Sequence, residues 1–254
     1  MLEFLLLGGV PAGIWAMERL RRRQAVRAQA AFMASLDDDV QVALHVANHE
    51  ARARNHSLHP LHLAYGLLQN EQIQELITKV GGDPAKLEDA INASLDTSIE
   101  DGARDARESL GYVSAVARHL ERKATCSELW ARIARNAAVA RAFDTGGMPV
   151  HRLLFALVHG SEPPALELPA PVPGAVHVVL RNDDVTTVEF VLALLREVFE
   201  LDPTTANAVT METHQQGRAI VGRFTPDVAA SRVESARLRA RDAGYPLWVG
   251  VEPC

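Results

Sequence analysis

Three consecutive acceptor-rich residues, Asn182-Asp183-Asp184, end a strand-like run Val176-His177-Val178-Val179-Leu180, and His214 follows further along the chain. Side-chain oxygens gathered at the end of a strand accept hydrogen bonds from a cationic donor, and an amine is the obvious one. A free α-amino group is a cation with several N–H donors, so its recognition needs at least two acceptors around one point, one preferably anionic. Asn182 Oδ1, the Asp183 carboxylate and a neutral His214 ring nitrogen supply that set. Charge-assisted bonds contribute roughly 1.5–3 kcal/mol each, enough to tell a true N-terminus from an internal peptide bond. Capture of a terminal amine in a polar nest is an established recognition mode. Asp183, Asp184 and His214 also suit a divalent ion in a metal-dependent hydrolase, but no second histidine or acidic cluster lies at ligand spacing, so no metal is expected. By itself, Asn-Asp-Asp is equally the composition of a turn between strand and helix.

Other chemistries are excluded or unsupported. No Gly-x-x-x-x-Gly-Lys-Ser/Thr loop occurs, so nothing cradles ATP phosphates; neither catalytic residues nor cofactors are expected. His62 and His151 each stand beside the start of an apolar helix, where histidine most often caps or hydrogen-bonds within a core. The net charge of −6, with no long basic tract beyond the first thirty residues, argues against nucleic acid as the main partner. Cys126 and Cys254 are too few and too far apart for a disulfide framework or a zinc site, which suits a reducing cytoplasm.

The elements that position these residues can be read locally. In the C-terminal part the order is βααβαβ. A strand Val176–Arg181 is followed by a helix Val188–Phe199 capped by Thr186 or Thr187, and Asp202 caps a helix from Pro203 that ends before Gly217. A strand Arg218–Phe224, a helix from Thr225-Pro226 to about Ala243 stopped by Gly244, and a strand Pro246–Val251 complete it. This predicts an α+β domain, a small antiparallel sheet with helices on one face. Ahead of it, Pro163-Pro164 and Pro169-Ala170-Pro171-Val172-Pro173 form a semi-rigid tether.

Residues 36–160 read as an all-α repeat domain. Val40, Ala43, Leu44, Ala47 and Ala51 fall at helical spacing behind Asp37 or Asp38. Further helices run from Leu58-His59-Pro60 to Leu68, from about Gln72 to Val80, and from Lys86 to Leu95 behind the Asp83 cap and Pro84. Pro60-Leu61-His62 aligns with Pro149-Val150-His151, which suggests a second unit that starts near Leu129 and stops after two helices. An extra segment, Ser98 to Ala124, separates the units and carries a helix over Tyr112 to Lys123. Residues 1–35 hold an apolar run, Leu2 to Met17, followed by Arg19, Arg21, Arg22, Arg23 and Arg27. The run is shorter than the roughly 20 apolar residues of a span. It is read either as a helix packed on the domain or as a weak membrane contact. The boundaries are therefore 1–35, 36–160, a linker over 161–173, and 174–254.

Residues 174–254 resemble the ClpS adaptor family. The match is carried by Leu180, Asn182-Asp183-Asp184, Thr186, Glu189-Phe190-Val191, His214, Gln216-Gly217-Arg218-Ala219-Ile220, Gly222, Phe224-Thr225, Val228-Ala229 and Pro246-Leu247. The resemblance implies an adaptor that binds proteins by a destabilising N-terminal residue and hands them to an AAA+ Clp unfoldase. Asn182, Asp183 and His214 would hold the amine, with Thr186 and Asp184 positioning the peptide or the loop. Leu180, Val188, Val191, Thr210, Thr213 and Leu247 would line the pocket for a bulky hydrophobic first residue. Asp227 and Arg232 would dock on the unfoldase.

Departures from the family pattern fall at the pocket. Val185, Thr187 and Val188 stand where the family has an aromatic residue, a proline and a gating methionine, and Thr210 and Thr213 bring hydroxyls that need partners if buried. Residues 36–160 resemble the N-terminal domain of Clp unfoldases through Pro60-Leu61-His62-Leu63-Ala64-Tyr65-Gly66-Leu67-Leu68. The combination implies an adaptor whose helical module binds the docking face in cis, or alternatively a non-delivering Clp-associated regulator or membrane-tethered scaffold.

Overall fold

The computed structural model describes residues 12–97, 102–160 and 174–254, with side chains from residue 21 onward. Nine helices come first among the described residues: α1 (Ala12–Ala34), α2 (Asp38–Ala53), α3 (Pro60–Leu68), α4 (Glu71–Lys79), α5 (Pro84–Asp96), α6 (Ala103–His119), α7 (Cys126–Ile133), α8 (Ala137–Thr145) and α9 (Val150–His159). Short polar side chains begin most of them. Asp37 Oδ1 accepts from Val40 N at 2.7 Å, Asn70 Oδ1 from Ile73 N at 3.2 Å, Asp83 Oδ1 from Ala85 N at 3.1 Å and Asn136 Oδ1 from Ala138 N at 3.0 Å. No helix among the described residues is long and apolar enough to cross a membrane. The apolar residues 2–11 and the 161–173 linker lie outside the described residues.

The repeat is present, in a different register from the one the proline–histidine motif suggests. Helices α2–α5 and α6–α9 are two copies of one four-helix unit. His59 and Thr125 cap α3 and α7, each answered by a side chain from the third helical residue, His62 or Glu128. Asn70 and Asn136 cap α4 and α8, and Gly81 and Gly147, both at positive φ, follow those helices. Packing obeys the same twofold relation, α3 on α7, α4 on α9 and α5 on α8. His62 therefore sits in the second helix of its unit and His151 in the fourth, so Pro60 and Pro149 are not equivalent. The second unit is complete rather than cut short. The helix expected over Tyr112 to Lys123 is α6, which begins at Ala103 and ends at His119. Gly111 weakens helix propensity there, but the buried face of Ala106, Leu110, Val113 and Ala117 outweighs it.

Both units close over one core that includes Leu61, Leu67, Ile91, Leu129, Trp130 and Phe143, the two rings edge to face at 5.3 Å. Where α3 crosses α2, only a glycine fits. A Cβ on Gly66 would overlap the Ala43 carbonyl oxygen and stand 3.2 Å from the Ala47 amide nitrogen. Beside this crossing, His62 is fully buried. Its Nδ1 accepts from His59 N at 3.0 Å, and His59 Nδ1 accepts from Leu61 N at 3.0 Å. Burial, with His56 and His59 adding repulsion, pushes the His62 pKa from 6.5 down to about 4.

The remaining elements are β1 (Val176–Arg181), α10 (Val188–Val198), α11 (Pro203–Gln216), β2 (Arg218–Phe224), α12 (Pro226–Asp242) and β3 (Trp248–Pro253). They form the expected βααβαβ order and an antiparallel sheet β2-β1-β3 with helices packed on it. The central strand carries buried Val176, Val178 and Leu180 into a core shared with Leu194, Leu195, Val209, Val221 and Val233. The last strand begins at Trp248 rather than Pro246. Trp248 pairs with Arg181, whose guanidinium lies 4.0 Å from the indole centroid. Pro246, with no N–H to give a ladder, stays outside it.

Two expectations follow. Gly66→Ala should lower stability by about 1–3 kcal/mol, as overpacking against backbone does, measured by urea unfolding of the full chain. Between roughly pH 6.5 and pH 4 the unfolded chain binds a proton at His62 that the folded chain refuses, so stability should fall as pH drops through that window. His62→Gln, whose side-chain oxygen can take the same bond from His59 N, should flatten that part of the pH profile.

Candidate binding site

The end of β1 and the end of α11 are tied together. Asn182 N donates to Gly217 O at 2.9 Å, and Gly217 takes φ of 79°, a left-handed conformation that ends the helix. His214, in the last turn of α11, is thereby brought to the place where β1 stops. The loop that follows is folded around one carboxylate. Asp183 Oδ1 accepts from Val185 N at 2.9 Å and Thr186 N at 2.6 Å, and Oδ2 accepts from Thr186 Oγ1 at 2.8 Å. Thr187 then caps α10 through Phe190 N at 3.4 Å.

These elements surround a cavity of about 410 Å³. Every residue that the family resemblance assigns to the amine or to the side-chain pocket lines it: Leu180, Asn182, Asp183, Asp184, Thr186, Val188, Val191, Thr210, Thr213, His214 and Leu247. Leu180, Val191, Thr210, Thr213 and Leu247 are buried, whereas Val188 is 48% exposed. The two threonine hydroxyls are satisfied within their own helix, Thr210 by Ala206 O and Thr213 by Val209 O, both at 2.8 Å. With the hydroxyls engaged, the threonines add methyl groups to the wall rather than unmet polar atoms. Asn182 is half-buried, and His214 and Asp184 are exposed. Among the described residues, no group of three His, Cys, Asp or Glu side chains is arranged to hold a metal ion.

Two lining residues come from the helical domain and were not foreseen, Leu120 and Arg122 in the turn after α6. Arg122 Nη1 and Nη2 donate to Glu128 at 2.8 and 2.9 Å. Burial raises the Glu128 carboxyl, but the bonds from Arg122 and from Thr125 N outweigh it and hold the pKa below the usual value. The Glu128 bonds hold Arg122 firmly protonated, and Asp184 adds to this from the other domain. The two domains also meet where His159 Nε2 lies 2.7 Å from Pro246 O and where the Arg135 guanidinium lies 4.5 Å from the Tyr245 centroid. Burial lowers the His159 pKa, and the Pro246 carbonyl only partly offsets it. Val185 packs against the helical core.

Asp227 and Arg232 lie on α12, away from this cavity. Asp227 is exposed, and Arg232 pairs with Glu200 at 2.7 Å and lies 5.2 Å from the Phe224 centroid. Among the described residues, the helical domain meets the C-terminal domain at places that include Pro246, Tyr245 and Val185, and Asp227 and Arg232 are not among these contacts.

Comparison with known proteins agrees with this architecture. A family model described as "ATP-dependent Clp protease adaptor protein ClpS" matches residues 172–250, and one described as "Clp repeat (R) N-terminal domain" matches residues 35–127. The ATP-dependent Clp protease adapter protein ClpS of Paraburkholderia xenovorans (strain LB400) is 43% identical over 75 residues, which is 30% of this chain and 72% of that protein. The Burkholderia thailandensis ClpS is 41% identical over the same 30% and 72%. A solved structure of Agrobacterium tumefaciens ClpS2 bound to L-phenylalaninamide is 35% identical and covers 33% of this chain and 100% of its own, with a TM-score of 0.32.

Because Asp183 holds the loop together, its loss should register in stability before any ligand is added. Asp183→Ala should cost about 1–3 kcal/mol, the scale of losing hydrogen bonds to a charged acceptor. Asp183→Asn, which keeps one oxygen, should cost less than half as much, both read by chemical unfolding.

Proposed function

We propose, since the chain belongs to the ClpS family of Clp protease adaptors, that it binds proteins by a free N-terminal residue and presents them to an AAA+ Clp unfoldase. Asn182, Asp183 and His214 take the α-amino group, and Leu180, Val188, Val191, Thr210, Thr213 and Leu247 take a bulky hydrophobic first side chain. Thr186 and Asp184 shape the loop between the two subsites. The observation that carries this reading is the convergence of all eleven residues, drawn from β1, its following loop, α10, α11 and the segment before β3, on one cavity with an apolar floor and acceptors beside it.

The chemistry follows from the division of the cavity. An amine enters as a cation, so its attraction to an anionic acceptor set depends on its charge and on its N–H donors. Acylation removes the charge and most of the donors together. The apolar floor rewards a side chain that removes its own surface from water, roughly 25 cal/mol per Å² buried. Asp227 and Arg232 on α12 are the proposed contacts to the unfoldase. Arg232, already paired with Glu200, would act as part of an ion-pair patch rather than as an isolated cation.

The test is a titration of the full chain with fluorescent peptides that differ only at residue one, Phe, Leu, Val or Met, each with an N-acetylated counterpart. Free-amine Phe and Leu peptides should bind at micromolar affinity or tighter, and acetylation should weaken them at least about a hundredfold, the loss of two charge-assisted bonds. Equal affinity for acetylated and free peptides would remove the amine subsite from this account.

A further inference from the structure

The cavity is incomplete without the helical domain. Leu120, the C-cap of α6, and Arg122 are the two lining residues contributed from outside the C-terminal domain. Leu120 is 52% exposed although it is a large apolar side chain, and it borders the same cavity as Val188, itself 48% exposed. The chain thus adds an exposed apolar group from its other domain to the lining of a cavity whose own wall includes the partly exposed Val188.

That group is held firmly. Arg122 N bonds to Ala117 O at 3.0 Å and Leu120 N to Val116 O at 2.9 Å, while Glu121 between them takes a left-handed φ of 52°. Glu121 has no glycine's freedom at such an angle, so neighbouring contacts must hold the turn in shape. Glu128 does so, buried at 8% exposure, gripping Arg122 with both oxygens and accepting from Thr125 N at 2.9 Å. The same grip pairs the Arg122 guanidinium with a carboxylate, and Asp184 of the C-terminal domain adds a favourable charge interaction. The bond between His159 and Pro246 O, and the seat of Val185 on the helical core, keep the turn and the cavity in register.

We propose that the helical domain supplies one wall of the N-terminal-residue site and that Leu120 is a specificity-determining contact for the substrate's first side chain. The proposal rests on the reading of the cavity given above. It makes residue preference a property of both domains: a large first side chain that reaches past Val188 meets Leu120, and a small one does not.

The experiment uses the full chain, as wild type, Leu120→Ala, Leu120→Met and Leu238→Ala, the last an exposed leucine on α12 that does not line the cavity. Each is titrated with free-amine peptides beginning with Phe or Val. Leu120→Ala should weaken the Phe peptide about three- to tenfold, the scale of losing part of one buried leucine contact, and should leave the Val peptide nearly unchanged. Leu120→Met should restore the preference, and Leu238→Ala should match wild type. Wild-type binding with no change in Leu120→Ala, an equal loss for both peptides, or tighter binding would overturn the role of Leu120 while leaving the amine site standing. Absence of binding by the wild type to any free-amine peptide would overturn both.

Discussion

Everything at the site depends on how the central strand ends. β1 is paired on both sides, and its last residue, Arg181, is matched to Arg218 of β2 and Trp248 of β3. The bond from Asn182 N to Gly217 O continues the β1–β2 register by one more rung and joins the end of β1 to the end of α11. That single bond brings the Asn182 side chain, the loop organised by Asp183 and the last turn of α11 with His214 to one place. Without the left-handed Gly217, α11 would not release its carbonyl there, and the acceptors would lie on separate elements with no common focus.

The second constraint is the seam between the domains. A valine at position 185 is small enough to sit against the helical core, and Tyr245 lies between Phe190, at 4.7 Å between centroids, and the Arg135 guanidinium. Val185, which looks like a loss from the adaptor pattern when read alone, lies where the helical domain approaches. Thr210 and Thr213 have a different explanation, since their hydroxyls turn back on the preceding helical turn and leave the cavity wall apolar. Buried polar atoms are tolerated when the partner is this close.

Much of this was legible because it is local. Asp37, Asp83 and Asp202 announce helix starts through bonds to residues two or three further on, and such signals survive without tertiary knowledge. The strand–turn–helix passage from Val176 to Val191 was readable for the same reason. The repeat was harder. A proline and a histidine before an apolar run look alike in α3 and α9, yet the true equivalence of α3 with α7 is carried by cap geometry and glycine placement, with little side-chain identity. Helix α6 was misplaced because Gly111 interrupts its pattern, while its buried face holds it together. Leu120 and Arg122 gave no sequence signal at all, because their importance comes from a contact between segments far apart in the chain.

The proposed function requires one cavity, walled by both domains, to take an amine and an apolar side chain together. The most direct measurement is methyl NMR of the full chain, with Leu, Val and Thr methyls labelled, on adding L-phenylalaninamide and then its N-acetyl derivative. Saturable shifts are expected at Leu120, Leu180, Val188, Val191, Thr210, Thr213 and Leu247 with the free amine and almost none with the acetylated form. Shifts spread over the α12 face, or the same shifts with both compounds, would contradict it.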